Sequence, residues 1–388
     1  MKKIVLLIAV FCIGFMNAKA GASEIVADTS NLEKGIQRFQ KGDYIGAIGI
    51  LDQVIISNPR NTKAFYERAK CKIAIEDHEG AIDDLDKVLE LETGNSKAYF
   101  LRGQSKASIG DHKGAIEDFS HAIKYDPKFH DALVQRAHEK FLMSDYSGAI
   151  KDYTSVINMS PSNINNFELY HKRGLAKTEF GKYKEAIEDF SKAIELYPKY
   201  NYAFFYRGFA KNHIGDFKGA IEDFSQVIVL DPNDKNSYFN RAYSKRVLKD
   251  YKGAIEDLSA NIEIDPKDEE AYYQRAEVFF LSGVENKALE DYNKAIDLFP
   301  KSQLAHFNRG LFNIETNRNT EAIEDFSKVI EKNPNDKQAY YYRAIARESE
   351  KDMEGACLDF KKAEQLGEKR ASEMIKRVCK RATPNLLK

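Results

Sequence analysis

Tryptophan is absent from the 388 residues, proline is limited to 9 and cysteine to 4, and no polar low-complexity tract occurs. With 43% hydrophobic and 31% charged residues, these absences exclude a disordered chain and a collagen-like fibre, and predict a soluble, well-packed protein. Neither charge sign is in excess, with 59 basic residues against 60 acidic ones. A dedicated nucleic-acid binder normally shows a basic surplus or a basic face, so that class of partner is set aside. Apart from one short run near the start, no apolar stretch approaches the roughly twenty residues a membrane-spanning helix needs. Length alone would divide the chain into two or three domains of about 150 residues, an expectation that yields where a sequence repeats.

The one apolar run extends from Ile4 to Phe15, behind Lys2 and Lys3 and ahead of Ala18-Lys19-Ala20. That is the charged, apolar and small-residue order of a cleavable secretory signal, and about twelve apolar residues are too few to cross a bilayer. A buried first helix, the alternative, would be amphipathic rather than apolar all round. Residues 1–20 are therefore read as a signal peptide, and the mature chain as exported, either periplasmic or extracellular. Cys12 follows Val10-Phe11 rather than small residues, so the chain does not resemble a lipid-anchored bacterial protein. Without Lys2, Lys3 and Lys19 there remain 56 basic residues against 60 acidic ones, a net charge of −4.

What the sequence does have is a period. The segment Gly-Ala-Ile-Glu-Asp-Phe-Ser recurs in whole or in part, and its alanine marks ten units: Ala47, Ala81, Ala115, Ala149, Ala186, Ala220, Ala254, Ala288, Ala322 and Ala356. Consecutive spacings are 34, with one exception of 37. A fixed period of this kind means one helical hairpin stacked many times, each copy burying its apolar face against its neighbours. Counted from the alanine, position −12 is always Gly or Ala and position +4 is always Leu or an aromatic, as in Gly208 and Phe224. The small residue predicts close approach of two helix backbones, small residue against small residue, and the large one continues the buried stripe one turn on. Pairs such as Gly110-Asp111 and Gly215-Asp216 stop a first helix and start a second, and Pro at +12 in eight units ends the second.

At these offsets the chain resembles the tetratricopeptide repeat family over about residues 28–368. The resemblance implies an all-α, right-handed superhelical solenoid of helix-turn-helix repeats. Residues 28–163 would hold repeats 1–4, residues 164–368 repeats 5–10, and the basic stretch 369–388 a capping helix and tail. Three departures stand out: tryptophan is missing, position −13 is Arg in nine units, and position −9 is usually Lys. The same nine units carry Asp at +3, which predicts a ladder of partly buried Arg–Asp pairs between helices. A row of arginines for anionic ligands is the competing reading. The three extra residues, Ile164 to Asn166, predict either an earlier start of the first helix of repeat 5 or a longer loop. Residues 369–388 hold seven basic residues against one acid, which suits a polar cap and, in the alternative, weak contact with an anionic membrane surface.

Signals for chemistry are missing. Cys71 sits where a small buried residue is expected, while Cys357 and Cys379 fall in adjacent helices, where export would permit a disulfide that sequence cannot place. The eight histidines show no metal-ligand spacing, and no phosphate loop or nucleophile elbow is present, so neither enzyme activity nor a cofactor or metal is predicted. Surface remains. The resemblance implies that first helices line a concave face, with position −15 pointing there and position −16 turned toward the core. The densest aromatic patch on that face falls in repeats 6 and 7, with Tyr202, Phe205, Tyr206, Phe209, Phe239 and Tyr243, and Tyr273 of repeat 8 is counted with it as a candidate binding residue. No unit carries the Lys and Asn with which related repeats grip acidic chaperone termini. Rigid aromatics anchor interfaces well, so the expectation is a protein-interaction scaffold or adaptor binding a protein or extended peptide on that patch. A self-assembling or membrane-surface structural protein, or a glycan-binding module, is the alternative.

Overall fold

The computed structural model describes residues 29–161 and 163–382, with side chains through Lys380; the expected signal peptide at 1–20 and the tail beyond 382 lie outside the described residues. Among the described residues every regular element is helical. Residues 29–40 form the first helix of repeat 1, and each later first helix spans thirteen residues from position −19, from Thr62–Ala74 in repeat 2 to Lys337–Ser349 in repeat 10. Second helices start at position −3, from Tyr44–Ser57 to Met353–Gln365.

The turn inside each pair is the same in all ten repeats. Position −5 takes a left-handed conformation, filled by Gly in five repeats and by Glu76, Ser144, Lys249, Asn317 and Lys351 in the others. The next N–H donates back to the carbonyl at −9, as in Asp77 to Lys72 O at 2.9 Å, which satisfies an orphan carbonyl at the end of the first helix. In seven repeats that next residue is Asp, which caps the second helix by accepting from the backbone N–H three residues on, where glycine always stands. A Cβ on any of those seven glycines would lie within 2.4 Å of the Asp Oδ2. The repeats without the aspartate, at Lys182, Val284 and Arg318, also lack the glycine and carry Glu185, Lys287 and Glu321.

Packing within a pair corrects the small-against-small expectation. The space left by the missing Cβ of Gly103, Gly174, Gly208 or Gly310 is filled by the large ring at +4 of the same repeat. A Cβ there would come within 2.7–3.0 Å of Phe119, Phe190, Phe224 or Phe326. A buried aromatic removes more apolar surface from water than a bare backbone contact could.

Nine buried aspartates at +3 accept from the arginine at −13 of the same repeat through both oxygens. Nε lies 2.7–2.9 Å from one and Nη2 2.5–2.8 Å from the other, from Arg68–Asp84 to Arg343–Asp359. In eight of the nine the remaining nitrogen reaches the second helix of the preceding repeat, for example Arg136 Nη1 to Ser120 Oγ at 3.0 Å and Arg241 Nη1 to Ser225 Oγ at 2.9 Å. One guanidinium thus ties three helices, and it lies 5.4–5.7 Å over the position −16 ring in seven repeats, such as Arg207 over Phe204. The lysine at −9 completes the site: Lys72, Lys106, Lys140, Lys177, Lys211 and Lys245 each place Nζ 2.8–3.0 Å from the same aspartate. Repeat 9 has Asn313 there, which donates to Asp325 at 3.1 Å, while His306 Nδ1 lies 2.9 Å from the same carboxylate. These arginines are committed to the scaffold, not to anionic ligands.

The chain divides into two compact units, one ending at Pro198 and one beginning at Lys199, each holding five helix pairs. The three extra residues before repeat 5 form a 3-10 turn, Ile164–Asn166, in front of the α-helix Phe167–Glu179, which keeps the common starting register. Asn166 is buried in that turn and donates to Ser160 O at 2.6 Å. The first unit is built on clusters around Leu51, Leu85 and Tyr153. The second is built on Leu258, Tyr292, Phe326 and Phe360, and its last cluster is closed by the helix Ala371–Ala382 through Ala371, Met374, Ile375 and Val378. Cys357 and Cys379 form a disulfide between repeat 10 and this capping helix, with Cα atoms 5.1 Å apart, and Cys71 is buried and free.

Candidate functional site

Repeats 6 to 9 present their first helices, Asn201–His213, Lys235–Val247, Glu269–Leu281 and Gln303–Glu315, along one series of clefts. The first, of about 210 Å³, is lined by Tyr202, Phe205 and Tyr206 on one helix and by Asp231 and Asp234 of the turn that follows repeat 6. A second, of about 520 Å³, holds Phe239, Tyr273 and Leu304 beside Asp265, Asp268 and Glu270. A third, of about 360 Å³, runs from Tyr273 to Phe280, Leu311 and Phe312, and a small one joins Phe239 to Tyr243 and Arg246. Asn236 lines the first and second spaces, and Phe239 and Tyr273 each line the second and one other, so the spaces are successive stretches of one groove.

The seven aromatics singled out in the sequence are treated differently by the fold. Tyr202 and Tyr243 are the outermost, at 59% and 43% exposure. Phe205 is half-buried, its ring 5.7 Å edge-on to Phe224, and Tyr206 meets Phe205 at 5.3 Å. Phe239 packs on the cluster of Ala242, Leu258 and Val278. Phe209 lies 4.6 Å from the His213 ring and lines none of the four spaces described. Tyr273 is nearly buried at 9% exposure, against Tyr292 and Phe312, and burial together with Glu270 pushes its phenol well above the usual range. Position −15 thus belongs partly to the core and partly to the groove, because a ring long enough to reach the surface must first cross the helix interface.

Polar residues of the groove carried no signal as single positions. They come into view when repeats are aligned: only repeats 6 and 7 have Asp at both +11 and +14, in Asp231-Pro232-Asn233-Asp234 and Asp265-Pro266-Lys267-Asp268. In repeat 7 the residue at −19, Lys235, bridges the two carboxylates, with Nζ 2.7 Å from Asp265 and 3.2 Å from Asp268. The hydrogen bond with Asp265 raises the Lys235 pKa and lowers that of Asp265. Repeat 2 joins the same positions through Thr62 and Glu92. Repeat 6 has Asn201 in that place.

Among the described residues no group of three His, Cys, Asp or Glu side chains is placed to hold a metal ion, and no helix is long and apolar enough to cross a membrane. A shallow groove floored by rings and rimmed by carboxylates offers contact area, and the molecule is of the class of helical-repeat interaction scaffolds. Tetratricopeptide repeat family models match residues 96–129 and 269–302, residues 167–200, and residues 286–337 and 314–371. A tetratricopeptide repeat protein from Parabacteroides merdae is 21% identical, with a TM-score of 0.52 over 64% of this chain and 97% of its own. The C-terminal part of a repeat-containing protein from Cytophaga hutchinsonii is 18% identical, with a TM-score of 0.55 over 62% and 97%. MamA protein is 28% identical over 44% of this chain and 92% of its own, at a TM-score of 0.42. No curated protein matches. These matches and the fold support a tetratricopeptide repeat protein, and with it a protein-interaction scaffold.

Proposed function

We propose that this protein is an exported scaffold that binds an extended peptide or protein segment along the first-helix groove of repeats 6 to 8. The observation that carries the reading is the continuity of the groove: Tyr202, Phe205 and Tyr206, then Phe239 and Tyr243, then Tyr273 line successive spaces, and Phe205, Phe239 and Tyr273 are held from behind by the core. Rings fixed from behind lose little conformational freedom on binding and make good anchors. Export is supported by the order of charged, apolar and small residues at 1–20 and by the Cys357–Cys379 disulfide, a bond that persists in oxidising compartments. The basic C-terminal stretch has less to offer an anionic surface, because Arg370 pairs with Glu368 and Arg377 with Glu348.

The test is crosslinked capture from the exported fraction with the mature chain, beside a Phe205→Ala, Phe239→Ala, Tyr243→Ala variant that still unfolds cooperatively. Partners retained by the natural chain and lost from the variant support the groove. Identical partners on both would move the interface elsewhere. N-terminal sequencing of exported material should begin near residue 21; an intact Met1 there would overturn the cleavable-signal reading, and absence of the chain from the exported fraction would overturn export.

A further inference from the structure

We infer that the repeat 6 end of the groove receives a lysine or arginine side chain of the bound segment, a reading that rests on the peptide-binding proposal above. The chain itself displays the chemistry one repeat later, where the Lys235 ammonium lies between Asp265 and Asp268 at 2.7 and 3.2 Å. Asp231 and Asp234 stand at the same two positions in repeat 6. The residue that would supply the ammonium is Asn201, whose Oδ1 accepts from the Tyr202 N–H at 2.9 Å. Neither Asp231 nor Asp234 has an ion pair among the described residues. One oxygen of each is engaged locally: Asp231 Oδ1 accepts from the Asn233 N–H at 3.1 Å, and Asp234 Oδ2 from the Ser237 N–H at 3.2 Å.

Among the described residues the same cleft has no basic side chain on its walls, so two carboxylates leave it formally −2, and Tyr202, Phe205 and Tyr206 form the facing wall. A long basic side chain fits both features. Its methylene stem lies on the rings, its cation gains from the ring faces, and its donors meet the carboxylates. An acidic or purely apolar segment would leave the two aspartates facing like charge or unpaired. The aspartates of repeat 7 are occupied by Lys235, which assigns the basic side chain to repeat 6 and aligns the ligand.

The test uses the full mature chain and three fluorescein-labelled ten-residue peptides of alternating alanine with lysine, glutamine or glutamate, followed by anisotropy at low ionic strength. The lysine peptide should bind about tenfold more tightly than the other two. Two variants then address the cleft. Asp231→Asn with Asp234→Asn keeps the turn and the helix cap, since Asn caps as well as Asp, and should lower lysine-peptide affinity about tenfold. Asn201→Lys should do the same by supplying an internal ammonium, with unfolding no earlier than in the natural chain. Equal binding of the lysine peptide by the natural chain and both variants would overturn the assignment, as would its failure to bind the natural chain. If all three peptides bind alike and the three-alanine aromatic variant releases them, the groove stands and the basic specificity falls. If none binds and capture yields no groove-dependent partner, both fall.

Discussion

The Arg–Asp column and the turn that follows each second helix are both repeated features, yet they behave in opposite ways. Nine repeats hold the same pair in one geometry, while the trio at −19, +11 and +14 changes from repeat to repeat: Thr62 with Glu92 and Asn95, Lys235 with Asp265 and Asp268, Asn201 with Asp231 and Asp234. Invariance among copies of one hairpin marks what every copy needs for stacking. Variation at a half-exposed position on a constant scaffold marks where copies can acquire separate roles.

The largest effect expected comes from breaking the constant side. Asp223→Leu strands Arg207 and Lys211 in a largely desolvated site and should cost about 3–5 kcal/mol in urea unfolding. Combined with Arg207→Met it should cost clearly less than the two single losses together; additive losses would show that the pair is not coupled. Next is His171, the buried occupant of position −15 in repeat 5, which desolvation first and Lys172 second hold at about 4, well below the ordinary 6.5. Because the folded value is the lower one, the unfolded chain binds the extra proton. Stability is therefore full above pH 6.5 and is lost as pH falls toward 4, by about 3 kcal/mol. His171→Phe, which supplies an aromatic of the kind seven other repeats carry at that position, should flatten that part of the pH profile. An unchanged profile would place the acid sensitivity elsewhere.

Gly310→Ala sharpens the comparison within the skeleton. Its Cβ would come within 2.8 Å of the Phe326 ring and should cost about 1–3 kcal/mol, whereas the same change at Gly49, which has nothing within 4 Å, should not destabilise. Smallest is Lys249→Gly. Lys249 holds φ at +64°, as its glycine counterpart Gly215 does at +82°, so glycine there should stabilise by about 1 kcal/mol. A lower unfolding midpoint would mean that the lysine side chain contributes more than its backbone costs.

Most of the fold was legible from residue spacing. Ten alanines in phase, the small residue at −12, the Asp at +3 and the Arg at −13 each recur at one offset, and repetition separates a structural signal from chance. The lysine at −9 was visible as a departure from the family pattern, but its task was not, because Lys and Asp lie twelve residues apart on different helices and meet only when those helices pack. The packing partner of the small residue was misjudged for the same reason: spacing tells which face a residue occupies, not which side chain crosses the interface to fill it. Among the seven aromatics, sequence placed all on one surface, and the fold drew Tyr273 inward and separated Phe209 from the groove. The carboxylates of the groove went unnoticed because, taken alone, they are ordinary turn and capping residues.

Periodicity by itself determined the helical hairpins, their number and register, and the pairing of Arg with Asp, since each depends on contacts within one repeat at a fixed separation along the chain. Tertiary structure decided how the lysine joins that pair, that Cys357 meets Cys379, and which rings reach a groove. It also decided that Lys235 fills one pair of turn aspartates while Asn201 leaves the homologous pair without a cation among the described residues. Those outcomes depend on distances between side chains of different helices, and such distances exist only once the helices have packed.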